Sequence, residues 1–221
     1  MKFCIKKIYI ILILAILIQP RVFARDNKDI YTRENISNYF SGIISAKNYN
    51  NKDAYKFLKK IQLLKNHHSR YNVEFINNLV LLGKFDKALA FSESIWDKNE
   101  LFFEADLLLG LRFFKNKDYI NSEKYFERLN TPSGSNLYFN DFIGNVLIAW
   151  SKASQGKKRD SFNILEKVPK PYRHLKKTQK GFLKCYFDMQ DTQSFFEEII
   201  QNKDYNFSRY NFFLANYLIF N

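Results

Sequence analysis

The sequence predicts an all-α protein built from repeated pairs of antiparallel helices. Three observations support this fold class: apolar residues recur at helical spacing, similar side chains return every 34 residues, and helix-breaking residues are rare. Gly and Pro account for only 7 and 4 of the 221 residues, whereas aromatic residues make up 18%. A chain with few breakers and many large apolar side chains can bury a packed helical core, which a disordered chain cannot.

The chain begins with a segment that has the layout of a secretory signal peptide. A basic head is followed by an apolar run of 11 residues, 8–18, and small residues precede a cleavage point after Ala24. The run is short for a membrane span, and an uncleaved N-terminal anchor is the alternative. We therefore expect a signal peptide over 1–24, a polar leader over 25–34, and an exported protein in the periplasm or cell envelope.

Cleavage would leave Cys185 as the one cysteine of the mature chain. An exported protein with one cysteine has no internal disulfide, so packing alone must stabilise the fold. We interpret Cys185 as a small buried apolar residue rather than a reactive thiol. The removed segment holds four of the 35 basic residues and no acidic residue, so the net charge falls from +13 to +9.

Helices are predicted in the rest of the chain, because apolar residues recur there at i, i+3 and i+4 over segments of 10–16 residues. No Asn-Gly or Asp-Gly signal joins two alternating runs, so no β-hairpin is expected. The clearest helical segments are SNYFSGIISAK, FINNLVLLGK, LFFEADLLLGLRFFK and DFIGNVLIAWSKAS.

A 34-residue repeat organises these segments. Ala54, Ala88 and Ser122 follow one another at steps of 34. Gly42, Ile76 and Gly110 stand twelve residues before them, and Ile61, Ile95 and Leu129 stand seven residues after them.

The later units are less regular. Ser161 takes the small position of a fourth unit after a step of 39, and we place its five extra residues in the turn-rich TPSGSN, 131–136. Ser194 is the candidate small position of a fifth unit, and a sixth begins at SRYNFFLANYLIF. We expect a repeat array over 35–221, with about five units and a partial sixth.

This pattern resembles the tetratricopeptide repeat (TPR), whose unit is a pair of antiparallel helices. The residues that carry the resemblance best are Leu109, Gly110, Phe113, Tyr119, Ser122 and Phe126. The TPR resemblance implies a right-handed α-solenoid of antiparallel helix pairs. The chain departs from the TPR pattern at Ile76, which replaces a Gly, and in lacking the helix-ending Pro. A signal peptide followed by degenerate repeats also resembles exported TPR proteins of Gram-negative bacteria.

The repeat has a physical explanation in the packing of each helix pair. Gly or Ala where two helices cross allows a close approach, and a larger residue such as Leu58, Phe126 or Leu165 fills the groove beside it. In GKFDKALAF, we expect Gly83 to end the first helix, Phe85 to anchor the second, and Ala88 to permit their contact. The last segment, SRYNFFLANYLIFN, is interpreted as a first helix without its partner, which suggests a truncated sequence or a docking end.

No motif in the sequence indicates catalysis, a cofactor or a metal. His67 and His68 lack a third ligand at zinc spacing, and the S-x-x-K match at 154–157 lacks the companion motifs of an acylase. There is no P-loop and no G-x-G-x-x-G, and the acidic pair Glu197-Glu198 is interpreted as a solvated helix face. We therefore expect a protein that is not an enzyme and binds no cofactor.

One window, 157–184, is strongly basic, with ten basic residues and two acidic ones. It is either a patch for an acidic partner, an anionic membrane surface or another polyanion, or a lysine-rich face that stays solvated. Nucleic acid is not expected, because the chain carries an export signal and no nucleic-acid-binding motif. The candidate patch residues are Lys157, Lys158, Arg159, Lys170, Arg173, Lys176, Lys177 and Lys180.

The TPR resemblance implies a second candidate surface, an inner groove lined by first helices that binds a protein or peptide. The candidate groove residues are Tyr39, Lys47, Arg70, Asn77, Phe114 and Trp150. Tyr39, Ile43 and Glu74 stand where TPRs that bind a C-terminal carboxylate carry basic or amide groups. The preferred hypothesis is a non-enzymatic scaffold for protein–protein interaction. The alternatives are a membrane-surface or polyanion tether through 157–184, and an accessory repeat domain of a longer envelope enzyme.

Overall fold

The computed structural model describes residues 30–131, 137–201 and 208–220. The predicted signal peptide, most of the leader and nearly all of TPSGSN lie outside these described residues. Within the described ranges every regular element is a helix, and no strand is present. The described chain divides into two compact units with the boundary between Leu64 and Lys65.

The described part of unit 1, residues 30–64, contains one helix pair. Helix α1 (Arg33–Lys47) packs against α2 (Asn51–Leu58), and a 3₁₀ segment, Lys59–Asn66, follows. The Thr32 hydroxyl accepts a hydrogen bond from the Asn35 amide and caps α1, and Asn50 caps α2 in the same way. These side chains satisfy backbone donors that have no partner inside the helix, so both helices begin where the sequence supplies a cap.

Unit 2 contains four further helix pairs and one more helix. Within it, each helix contacts the next along the chain. The first helices of the pairs are α3 (Ser69–Leu81), α5 (Phe103–Lys115), α7 (Leu137–Ser154) and α9 (Arg173–Tyr186), and their second helices are α4 (Phe85–Ile95), α6 (Tyr119–Leu129), α8 (Lys158–Glu166) and α10 (Thr192–Gln201). A 3₁₀ turn, Lys170–Tyr172, precedes α9, and α11 (Ser208–Phe220) follows α10.

Close helix crossings explain the small residues of the repeat. A Cβ on Gly42 would lie 2.7 Å from Leu58, and a Cβ on Gly110 would lie 2.5 Å from the ring of Phe126. The predicted role of these residues is therefore confirmed. Ile76 occupies the same repeat position, and the residue sixteen places later is the small, fully buried Ser92 instead of a large one. In the α3–α4 pair the small residue at the helix crossing therefore lies on the second helix, whereas in the other two pairs it lies on the first.

Each described turn inside a helix pair contains one residue in the left-handed backbone region. Gly83 and Gly156 have φ values of +67° and +74°, which glycine adopts without steric cost. Tyr49, Lys117 and Asp188 take the corresponding conformation with side chains present, at φ 59°, 61° and 46°. The turn geometry is thus maintained along the chain even where its favoured residue is absent.

Two details of the sequence interpretation are wrong. Phe85 begins α4 as predicted but is 55% exposed, so it does not anchor the helix, whereas Gly83 and the fully buried Ala88 act as expected. Ser194 is exposed, and the fully buried Thr192 holds the small position of the fifth pair. Helix α7 has 18 residues against 13 in α5. The predicted place of the five extra residues, TPSGSN, lies almost entirely outside the described residues and stays a prediction.

Candidate interaction surface on the first helices

Exposed large apolar residues of the paired helices in unit 2 lie mainly on first helices. Leu81 of α3 is 66% exposed, and Leu111 of α5 is 40% exposed. Each of the other two first helices also contributes: Phe139 belongs to α7, and Leu175 and Tyr186 belong to α9. On the described second helices of unit 2 such residues are Phe85 and Ile120, both in the first helical turn. Among the described residues, exposed large apolar side chains are therefore more numerous on first helices, five against two.

First helices of unit 2 also contact one another. Helix α3 contacts α5, and α7 contacts α9. Leu107 and Phe114 of α5 pack with Ile143 and Leu147 of α7 around the buried residues Phe126, Leu129 and Ile148. Side chains on adjacent first helices are therefore close enough to act on one ligand.

A charged group lies on the faces of α3 and α5. Arg70 and Glu74 form an ion pair one helical turn apart, with Nη2 and Oε1 separated by 2.8 Å. Glu104 of α5 interacts electrostatically with both of them. Burial raises the pKa of the Glu104 carboxyl above its usual value, opposed by a hydrogen bond to its own backbone amide and by Arg70. Glu104 forms no ion pair among the described residues.

Helical spacing continues this group into an apolar region. Glu74 and Leu81 are seven residues apart on α3, and Glu104 and Leu111 are seven residues apart on α5. Residues at this spacing share a helix face and lie two turns, about 10 Å, apart along the axis. We call this surface the first-helix face, and it consists of Arg70, Glu74, Asn77, Leu81, Glu104 and Leu111.

Of the predicted groove residues in unit 2, Arg70 and Asn77 are exposed on the first-helix face. Phe114 and Trp150 are half-buried, and their side chains contact other helices of the array. The Phe114 ring packs edge-on against Tyr119 at 5.5 Å, and Trp150 donates from Nε1 to Gln179 Oε1 at 2.8 Å. These two side chains join helices of the array, because an apolar residue on a first helix can serve the adjacent helix as well as a ligand.

The other two predicted groove residues belong to unit 1. Tyr39 is half-buried, with its ring 5.6 Å from that of Phe40, and Lys47 is exposed in the last turn of α1. Helix α1 also carries Ile36, Phe40 and Ile44, which are 43%, 59% and 58% exposed and follow one another at four-residue spacing. Sequence reasoning missed this stripe, which the i, i+4, i+8 pattern of apolar residues could have revealed.

The basic residues of the window are distributed over several elements. Lys157, Lys158 and Arg159 lie at the start of α8, whereas Lys170 and Arg173 follow its end. The nine residues of α8 separate these two groups by about 13 Å of helix.

Several lysines of the window are paired with acidic residues. Lys176 and Lys180 both bind Glu166, each with Nζ 3.1 Å from a carboxylate oxygen, and Lys177 binds Glu198 at 2.8 Å. Burial alone would raise the pKa of Glu166, but its hydrogen bonds from the two lysines outweigh burial and hold the pKa below its usual value. Glu198 lies outside the window, so counting charge along the sequence overestimated the free positive charge.

Sequence reasoning also missed a buried charged cluster around Arg128. Its Nε donates to Asp106 Oδ1 at 2.7 Å, and its guanidinium lies 4.9 Å from the centre of the Trp96 ring. Trp96 Nε1 donates to the same oxygen of Asp106 at 2.8 Å. The guanidinium also donates to three backbone carbonyls of the loop before α5, those of Asp97, Lys98 and Glu100. Arg128 therefore holds that loop in one conformation, through contacts about 30 residues apart in sequence.

The loop held by Arg128 borders a polar cavity of about 600 Å³, lined by residues 65–69, Asn72, 94–97 and 100–102. Both histidines of the sequence motif reach this cavity. His68 Nδ1 accepts a hydrogen bond from the Tyr71 amide and caps α3. His68 therefore has a structural role, which agrees with the absence of a third metal ligand in the motif.

Three further observations concern chemistry. In the described ranges, no group of three or more His, Cys, Asp or Glu side chains is arranged to hold a metal ion. No helix described here is long and apolar enough to cross a membrane. Burial raises the pKa of the half-buried Cys185 thiol, which makes it less reactive than a free cysteine.

Comparison with known proteins supports the fold. No protein-family model matches the chain, and a search of curated proteins finds no match. Among solved structures, the chain is similar to "MamA RS-1 ArsTM double mutant", with a TM-score of 0.60 and 13% sequence identity over 77% of this chain and 94% of the other. MamA is a TPR protein, so the predicted fold class, an all-α solenoid of antiparallel helix pairs, is confirmed. At 13% identity, this likeness establishes the fold alone.

Proposed function

We propose that the protein is a non-enzymatic scaffold that binds a segment of another protein on the first-helix face. The observation that carries the proposal is the distribution of exposed apolar side chains, which favours first helices over second helices in unit 2. Exposed apolar residues near polar ones are typical of surfaces that bind protein. A TPR-like fold supports this proposal, because helical repeats use extended surfaces for binding.

The scaffold is further proposed to act after export, in the periplasm or cell envelope. This part of the proposal rests on the N-terminal sequence, with its basic head and its apolar run of 11 residues. A fusion of residues 1–30 to alkaline phosphatase, which is active only after export, tests it. We expect activity from the fusion and none when the apolar run carries two lysines; an inactive wild-type fusion would overturn the localisation.

Binding itself can be tested without knowing the natural partner. A random library of 12-residue peptides displayed on phage is selected on the purified protein, and the enriched peptides are measured by fluorescence anisotropy. The first-helix variant carries Leu81→Ser and Leu111→Ser. The matched control carries Phe85→Ser and Ile120→Ser, two similarly exposed residues on second helices.

The expected result is a loss of at least about tenfold in peptide affinity for the first-helix variant and less than about twofold for the control. Tenfold corresponds to about 1.4 kcal/mol, which is within the range of burying one leucine side chain. Circular dichroism of both variants checks that their helices are intact. Equal losses in both variants, or no enriched peptide at all, would refute the proposed function.

A further inference from the structure

We infer that the first-helix face recognises a basic segment, in which a lysine or arginine of the partner binds Glu104 and an apolar side chain contacts Leu111. This inference rests on the proposed function and specifies the chemistry of the partner. The starting observation is a half-buried carboxylate without an ion pair among the described residues, in a protein whose net charge is +13.

The local charges do not cancel. The charged side chains of α3 that interact with Glu104 are the carboxylate Glu74 and the cation Arg70. Arg70 makes a close contact with Glu74, through Nε at 2.9 Å and Nη2 at 2.8 Å. Glu104 thus accepts a hydrogen bond from its own backbone amide, receives only longer-range attraction from Arg70, and experiences repulsion from Glu74. A cation supplied by a ligand would balance the remaining negative charge.

Burial makes the Glu104 carboxylate selective for the charge of the ligand. A half-buried charged group is already partly dehydrated, so an incoming cation meets a less screened partner than it would on an open surface. A ligand that covers Glu104 without supplying a donor would leave a buried charge uncompensated, which is strongly unfavourable. The same carboxylate therefore favours basic segments and rejects neutral or acidic ones.

The position of Leu111 specifies the spacing in the ligand. Glu104 and Leu111 lie about 10 Å apart along α5, because seven residues separate them. An extended ligand covers that distance in about three residues, and a helical ligand covers it in about seven. The recognised segment should therefore carry its basic and apolar side chains at one of these spacings.

The charges also exclude the ligand that basic TPR clamps take. A C-terminal carboxylate beside Glu104 would also meet Glu74, and Arg70 is already paired with Glu74. The face is consequently suited to the opposite ligand charge.

The experiment uses the same displayed library, selected in parallel on the wild-type protein and on Glu104→Gln. The matched control is Glu127→Gln, an exposed acid on the second helix α6. One enriched peptide is resynthesised with its basic residue replaced by norleucine, which keeps the aliphatic stem and removes the charge. Arg70→Gln is expected to have the opposite effect on peptide affinity, because it removes the cation that competes with the ligand for Glu104.

We expect peptides selected on the wild type to be enriched in lysine or arginine, and to bind Glu104→Gln about tenfold more weakly. The norleucine peptide should bind Glu104→Gln more tightly than the wild type, because the variant leaves no buried charge uncompensated. Arg70→Gln should strengthen binding of the basic peptide severalfold, and Glu127→Gln should leave it unchanged.

The failures of the two proposals are distinguishable. Peptides without basic residues that depend on Leu81 and Leu111 but not on Glu104 would overturn the charge inference and leave the proposed function standing. Peptides that are insensitive to Leu81 and Leu111 would overturn both. A stronger effect of Glu127→Gln than of Glu104→Gln would place the recognised charge elsewhere and also overturn the inference.

Discussion

Substitution of Gly110 by alanine tests the packing explanation of the repeat. A Cβ at this position would lie 2.5 Å and 2.7 Å from two ring carbons of Phe126, and 3.2 Å from Cβ of Tyr125. Ordinary contacts of a methyl group begin near 3.4 Å, so the ring would have to move by almost an ångström. Phe126 is fully buried and has little space into which it can move.

Two opposing terms set the size of the effect. Overpacking a well-filled core typically lowers the free energy of unfolding by about 1–3 kcal/mol. Two contacts below 3.0 Å against a buried ring place Gly110→Ala in the upper part of that range, at about 2–3 kcal/mol. Replacing glycine by alanine inside a helix favours folding by about 1 kcal/mol. We therefore expect Gly110→Ala to lower the free energy of unfolding by about 1–2 kcal/mol, and the melting temperature by about 2–8 °C.

Urea unfolding followed by circular dichroism measures this change. The double variant Gly110→Ala with Phe126→Leu is the matched control, because the smaller leucine leaves room for the added methyl group. Its destabilisation should be smaller than the sum of the two single changes by at least about 1 kcal/mol. A stabilised Gly110→Ala would refute the reasoning, since helix propensity alone predicts stabilisation.

Three other predictions follow from local geometry and burial. Gly83 and Lys117 both have positive φ, which glycine adopts at less cost than other residues. Gly83→Ala should therefore lower the free energy of unfolding by about 1 kcal/mol, and Lys117→Gly should raise it by up to about 1 kcal/mol. Urea unfolding in which Gly83→Ala is stabilised or Lys117→Gly is destabilised would contradict this. Arg128→Ala should destabilise by about 3–5 kcal/mol and speed amide exchange over 96–102, because it leaves the buried Asp106 carboxylate unpaired; unchanged exchange would show that the loop does not need the guanidinium. Cys185 should react with iodoacetamide at pH 8 more slowly than it does in urea, because burial raises its pKa and reduces the thiolate fraction; equal rates would contradict a shielded thiol.

The fold was predictable because its signals repeat. Ala54, Ala88 and Ser122 are all fully buried, and a small residue at a helix crossing is a local requirement that the sequence displays directly. Helix lengths were less predictable: α7 is five residues longer than α5, and the repeat pattern does not distinguish the longer helix from the shorter one. A repeated small residue fixes where two helices cross, but it does not measure how far each helix extends.

The candidate surface was only partly predictable. Arg70 and Asn77 are exposed on a first helix, where the repeat places them, and their contact with a partner stays a prediction. Trp150 and Phe114 were not separable from groove residues by sequence, since each makes its contact with a residue on another helix. The hydrogen bonds of Arg128 join residues about 30 positions apart, and no local sequence pattern predicts such a contact. Burial raises the pKa of Glu104, with smaller effects of Arg70 and Glu74 on a neighbouring helix, and all of these require the folded arrangement.

Site-specific photocrosslinking tests the central claim most directly. The photoreactive residue p-benzoylphenylalanine is placed at Leu111 on a first helix or at Ile120 on a second helix, both of which are exposed. A biotinylated peptide from the library selection is added, and the crosslinked residues are identified by mass spectrometry. Binding on the first-helix face predicts an efficient crosslink from position 111, competed by unlabelled peptide, and little from position 120. Crosslinking from position 120 with none from position 111 would contradict the account.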